Sequence, residues 1–242
     1  MKTPHFDLEI HNAVQRDYFE RSQKRGMRPV FSRYLNRQVE EVLKHCPVEP
    51  GQRLLEVGCG MGRYTLLLAE RGLAVEGLDL SPVLLKRLKS YNRGKFKIPL
   101  HCADIQNRLP DLENSFDVVM GFFMLHHVKD LNACFSSLKR LLKPKGRMIF
   151  LEPNPYNPLY YLQILLTPEM TWEGDKGIIQ MRRTVLQKAM KKAGLKNFNL
   201  SRFGFFPPFL ANASWGSVCE KALERFPPWK NLLPFQLIQG ER

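Results

Sequence analysis

From Leu54 to Thr65 the chain reads LLEVGCGMGRYT, an apolar strand, three glycines and the start of a helix. Few patterns restrict a fold more. Gly58, Gly60 and Gly62 let the backbone turn tightly and let a ligand approach it closely. The first turn of the following helix offers N–H groups that have no partner within the helix. The spacing limits what is held. A dinucleotide fingerprint needs G-x-G-x-x-G, and here the third glycine comes one residue early. A phosphate-binding P-loop needs Gly-Lys-Ser/Thr, which is absent from the loop. Glu56 would repel a phosphate and suits a cationic amino group. The loop therefore points to a nucleoside that carries an amino acid.

The rest of the chain extends this unit. Residues 6–46 read as two amphipathic helices broken near Gly26 and Pro29, and Pro47 to Gly51 is a turn cluster. Strands are expected at 53–57, 73–80, 97–103, 116–120 and 147–151. Helices are expected at 62–70, stopped by Gly72, at 81–92, capped by Ser81-Pro82, and at 130–142, closed by Lys143 to Gly146. Such alternation implies right-handed crossovers and a parallel sheet. Prolines 153, 155, 158 and 168 break the pattern, so 152–177 reads as an insertion on the substrate side. A helix over 178–193 ends at Gly194, and strands follow at 197–206 and 235–238. The expected fold class is α/β: a three-layer, Rossmann-like, mostly parallel sheet. The expected domains are an N-terminal helical lid over 1–48 and the α/β domain over 49–242.

Two acids sharpen the ligand. Asp79 ends the second strand about 20 residues beyond the loop, where an acid accepts ribose hydroxyls. Asp104 ends the third. Both, with Glu56, lie at strand C-termini, where open α/β sheets bind ligands.

In these residues the chain resembles the class I methyltransferases, and among them the type 11 group that includes ubiquinone-biosynthesis enzymes. LLEVGCGMG, VEGLDLS, HCADI, FDVVMGFFMLHHV and LKRLLKPKGRMIFLEP stand in the family's order, over roughly residues 50–150. The resemblance implies a seven-stranded sheet with an antiparallel last strand, and S-adenosyl-L-methionine as cofactor. It implies that Glu56, Gly58, Gly60 and Gly62 hold the methionine part and that Asp79 binds the ribose, with Leu80 beside the adenine. Asp104 would meet the adenine amino group and Ile105 the ring, and Gly121 and Phe122 would flank the sulfonium.

The acceptor is read from elsewhere. Methyl transfer is an in-line displacement, served chiefly by placement of the nucleophile. A base is required only where the acceptor loses a proton. His126 and His127 are the candidates; by resemblance His127 is structural and His126, the catalytic candidate, faces the pocket. No metal is expected, because the five cysteines are scattered and form no paired ligand motif. Asn154, Tyr156 and Tyr160 mark a rigid, apolar substrate loop, and Tyr18 and Phe19 a lid. Phe203, Phe205, Phe206, Phe209 and Trp215 add a second apolar segment. The net charge of +14 favours a polyanion or an anionic membrane surface as partner. The expectation is a small, apolar or lipid-linked acceptor, methylated on oxygen or carbon, with nucleic acid the weaker choice. The alternatives are an RNA or protein methyltransferase using the basic surface, and a cofactor-binding protein without catalysis. The N-terminus lacks an apolar leader pattern and no run is long enough to span a bilayer, so the expected location is cytoplasmic, peripheral to a membrane.

Overall fold

The structure is a computed structural model and describes residues 4–21, 27–167, 170–213, 215–225 and 227–242. Gly26 and Pro168 of the sequence reading lie outside them. In chain order the elements are α1 (Pro4–Arg21), α2 (Arg33–His45), β1 (Leu54–Val57), α3 (Thr65–Glu70), β2 (Val75–Asp79), α4 (Pro82–Asn92), β3 (Leu100–Cys102), β4 (Phe116–Phe122), α5 (Leu131–Leu141), β5 (Leu142–Pro153), α6 (Pro158–Leu166), α7 (Trp172–Asp175), α8 (Arg183–Ala193), β6 (Lys196–Phe203), α9 (Pro208–Ala211), α10 (Gly216–Glu224) and β7 (Phe235–Glu241).

Among the described residues the strands form one sheet in the order β3-β2-β1-β4-β5-β7-β6. The first five pair in parallel, and β7 runs antiparallel between β5 and β6. This is the expected α/β class, with its reversed last strand. Alternate side chains of the central strands serve opposite faces. Leu55, Val119 and Phe150 pack with Phe135, Leu138, Leu186 and Met190 of α5 and α8. Leu54, Val118 and Ile149 pack with Leu35, Val39 and Val42 of α2 and Leu67 and Leu68 of α3.

Capping sets the helix starts. The Ser32, Ser81 and Asp130 side chains accept from Leu35, Leu84 and Asn132 N–H. These bonds satisfy N–H groups that the helix leaves unpaired.

The structure departs from the sequence reading in five places. Only α1 lies over the strand ends; α2 belongs to the core, its Leu35, Val39 and Val42 fully buried. The insertion over 152–177 contains α6 and α7. Pro158 does not break α6: it sits at its first position behind the cap Asn157, a place proline favours. Apolar on nearly all sides, α6 shows no helical period. The helix expected from 178 begins at Arg183, after a 3₁₀ turn over Lys176–Met181, because Arg182 is extended at ψ 139°. Strand β6 ends at Phe203, and α9 and α10 follow where no helix was expected. The turn at 143–146 bulges out within β5, with Leu142 paired to Phe116 and Arg147 to Val118.

Two glycines give a measurable contrast. Gly62 has φ +91°, and an added Cβ would stand 2.8 Å from Leu88 Cγ. Gly72 has φ +77° with nothing within 4 Å of that position. Gly72→Ala should cost about 1–2 kcal/mol, for backbone strain alone. Gly62→Ala should cost roughly 1–3 kcal/mol more, for crowding against α4. Urea denaturation of the two variants would measure the difference, and equal losses would show that Leu88 moves aside freely.

Candidate active site

A cavity of about 800 Å³ lies at the C-terminal ends of β1 to β4. Its two halves are built differently. The first comprises the loop after β1 and the ends of β2 and β3, and is lined by Glu56, Gly58, Gly60, Asp79, Leu80, Asp104 and Ile105. Asp79 accepts from Gly60 N at 2.7 Å and from Ser81 N at 2.9 Å, which ties the glycine loop to the end of β2. Burial raises the Asp79 carboxyl above its ordinary range. Glu56 is 1% exposed and its Oε2 has no hydrogen-bond partner. Burial pushes its carboxyl up to about 8, and the nearby Asp79 adds to the rise. Asp104 accepts 2.7 Å from the Asn12 amide, a donor of the same kind as an aromatic amino group.

These residues fit the nucleoside expected from the sequence. The unsatisfied Glu56 oxygen is where an α-amino cation would remove a desolvation cost. Arg63, which sequence reading missed, lines the same cavity with a buried, unpaired Nε. Glu56 and Arg63 thus offer opposite charges to the two ends of an amino acid. Arg63 directly follows the third glycine, so the loop itself carried that signal.

Two of the expected ligand-holding glycines do not line the cavity. Gly62 faces Leu88, as above. A Cβ at Gly121 would lie 2.6 Å from Phe150 Cε1 and 2.9 Å from Val57 O, so glycine there serves close packing within the sheet. Phe122 does line the cavity, stacked on Tyr64 at 4.1 Å.

The second half is centred on the turn after β4. His126 is buried, and its Nδ1 donates to Glu152 Oε2 at 2.6 Å. Glu152 Oε1 accepts from Met124 N at 2.8 Å and Leu125 N at 2.6 Å. These bonds orient the ring, and its Nε2 stands 3.8 Å from Asp175 Oδ1. His127 lies beside it, ring centroids 3.9 Å apart, and its Nδ1 donates to Gly174 O. Both histidines line the cavity, and the structural contacts of His127 to Gly174 and to Phe19 stand beside that exposure. Asp175 is 4% exposed; its Oδ2 accepts from Tyr18 at 3.0 Å and its Oδ1 from Tyr160 at 3.3 Å. Burial and the Asp175 charge push the Tyr18 hydroxyl up to about 12, and raise that of Tyr160 as well. Neither Glu152 nor Asp175 was singled out for this role from the sequence.

The expected substrate and lid residues divide. Tyr160 and Phe19 line the cavity. Tyr18 lies behind it, on Asp175. Asn154 is fully buried and gives its amide to the carbonyls of Asn231 and Leu233, so it fastens the loop instead of meeting a substrate. Tyr156 is half-exposed, with the Arg202 guanidinium over its ring at 5.8 Å, and does not line the cavity. Helix α1 lies over the cavity. It bonds Asp104 through Asn12, Ser81 through Glu20, Asp175 through Tyr18 and the His127 carbonyl through His11.

The far wall is formed by Phe205, Phe206, Pro207 and Pro208. Glu220 Oε1 accepts from the backbone N–H of Phe205 and Phe206, and Glu224 Oε1 from that of Gly204. Arg37 of α2, buried, pairs with both glutamates and so ties this wall to the core.

The chain is similar to known methyltransferases. Residues 55–150 match the family described as "Methyltransferase domain". A ubiquinone biosynthesis O-methyltransferase of Idiomarina loihiensis is 34% identical over 137 residues, 56% of this chain and 56% of that protein. An uncharacterized methyltransferase of Synechocystis is 31% identical over 141 residues, 54% of this chain and 64% of that one. The chain spans about half the length of most of the curated relatives it matches. Among solved structures, Haemonchus contortus phosphoethanolamine N-methyltransferase 2 with S-adenosyl-L-methionine has a TM-score of 0.65 at 18% identity, over 94% of this chain and 60% of that one. Geranyl diphosphate C-methyltransferase from Streptomyces coelicolor has a TM-score of 0.63 at 19% identity, over 99% and 98%. Residues 55–150 thus match a methyltransferase domain, within a fold that nearly the whole chain shares with solved methyltransferase structures.

Proposed function

We propose that the chain methylates an oxygen or carbon of a small, apolar or lipid-linked acceptor met at an anionic membrane surface. One observation carries the reading. The acceptor half of the cavity is walled by Leu159, Tyr160, Phe205 and Phe206, and the same two segments hold large apolar side chains out in solvent. Leu165 is 82% exposed, Leu166 71%, Phe209 76% and Val218 70%. Apolar surface gathered beside a pocket mouth is what a lipid interface covers. Exposed Lys221, Arg225 and Lys230 on and after α10 suit anionic headgroups. Among the described residues no helix is long and apolar enough to cross a membrane. Two similar proteins are named for ubiquinone biosynthesis and for geranyl diphosphate, which supports an apolar acceptor.

The cofactor supplies a methyl group on a positively charged sulfur. Glu56 and Arg63 would hold its amino acid, Asp79 its ribose and Asp104 its adenine amino group. Phe122 and Tyr64 present aromatic faces to the same space. Helix α1 covers both halves and keeps water out. His126, held through Nδ1 by Glu152, turns Nε2 toward the place where an acceptor would lose a proton.

Two outcomes are expected. With its folded-state pKa raised to about 8, Glu56 keeps a proton that the unfolded chain has already lost above about pH 4.5. The ligand-free protein should therefore lose stability between pH 5 and pH 8, by up to about 1.4 kcal/mol per pH unit. Glu56→Gln should flatten that slope and raise Tm near pH 8, yet lose most of the stabilisation given by S-adenosylhomocysteine. Calorimetry across pH with and without that ligand measures both; an unchanged slope, or unchanged stabilisation, removes the assignment. Secondly, label from methyl-labelled S-adenosylmethionine should enter the organic phase of a lipid extract. The doubly substituted Leu165→Glu, Phe209→Glu chain should bind phosphatidylglycerol vesicles on the order of tenfold more weakly. Label found in RNA or protein instead would overturn the acceptor class.

A further inference from the structure

The polar centre of the acceptor half has the makings of a metal site. His126, His127 and Asp175 each turn a ligand atom to one place, all three within 4.8 Å of one another. All three line the cavity. The tautomers suit the purpose. Both Nδ1 atoms donate, to Glu152 and to the Gly174 carbonyl, so Nε2 is the acceptor atom of each neutral ring. A carboxylate or carbonyl behind a histidine is the usual outer support of a metal ligand. Glu152 gives this support from full burial, and Tyr18 supports Asp175 from behind through Oδ2.

We propose that His126, His127 and Asp175 bind one divalent first-row transition ion of the Zn²⁺ type, whose open positions face the acceptor cavity. Two imidazoles and a carboxylate are the donor set such ions favour over Mg²⁺ or Ca²⁺. Three protein ligands with an open fourth position is the arrangement of a catalytic site. Ligand atoms around one tetrahedral ion stand about 3.3 Å apart, so the side chains close by roughly an ångström on binding. The inference rests on the methyltransferase reading and narrows it. An ion there takes an oxygen of the acceptor, and a bound hydroxyl loses its proton to water more readily. With the ion in place Nε2 of His126 is a ligand, not the base. Of the two acceptor atoms left open above, such an ion favours oxygen.

The test uses the whole chain, freed of any affinity tag and of metal. Titration with Co²⁺ followed in the visible spectrum, and with Zn²⁺ by calorimetry, should show one ion per chain. No thiolate-to-cobalt band should appear, which keeps the exposed Cys102 and Cys219 out of the site. His126→Ala and Asp175→Asn should each weaken binding on the order of a hundredfold, and Tyr18→Phe about tenfold. S-adenosylhomocysteine affinity and circular dichroism, measured on the same samples, report whether each variant folds. Should the first two variants fail to fold, Tyr18→Phe and the wild-type stoichiometry decide. A wild-type chain that takes up neither ion overturns the proposal, as do folded variants that bind like wild type. Failure of the wild type to bind S-adenosylhomocysteine would instead strike the methyltransferase reading and leave the metal result standing.

Discussion

One buried carboxyl group organises the acceptor half. Glu152, at the end of β5, is fully buried and takes three hydrogen bonds from the turn after β4. A carboxyl group taken from water must recover its hydrogen bonds inside the protein or cost several kcal/mol. Here the recovery defines the turn itself. Two bonds fix the Met124 and Leu125 backbone, and the third sets the plane of His126. Neighbouring strands hold the two ends together, since Phe122 pairs with Leu151 in the β4–β5 ladder. The position of the histidines therefore follows from sheet register.

The cofactor half obeys the same logic from the opposite direction. Glu56 is buried with one oxygen unsatisfied, and Asp79 stitches the glycine loop to β2. One carboxyl group is completed by the fold and the other is left incomplete, and only the incomplete one calls for a cation. Burial and hydrogen bonding thus separate a structural acid from a ligand-seeking one, although both end a strand of the same sheet.

The sequence made the first half legible because its signals are local. A strand, three glycines and a helix start lie within twelve residues, and Asp79 and Asp104 end strands with clear apolar patterns. Local spacing could not tell that Gly62 and Gly121 serve packing, because their crowding partners Leu88 and Phe150 lie on other elements. The second half was harder to read. His126 meets Glu152 across 26 residues, and Tyr18 meets Asp175 across 157. Asp175 lies in a segment whose helices have no amphipathic period, so nothing local marks it. Asn154 and Tyr156 sit in a proline-rich stretch that resembled a substrate loop, yet hydrogen bonds to 231 and 233 turn one inward and leave the other in solvent.

The far wall of the cavity is fastened through backbone N–H groups. Glu220 and Glu224 hold Gly204, Phe205 and Phe206 by main-chain atoms alone, and Arg37 secures the glutamates. Every residue except proline carries such an N–H. The side chains that this wall turns toward the acceptor can therefore be exchanged one at a time while its attachment stays as it was. In evolutionary terms, attachment and lining are encoded by different atoms of the same residues, so point substitution can reshape this wall without loosening it.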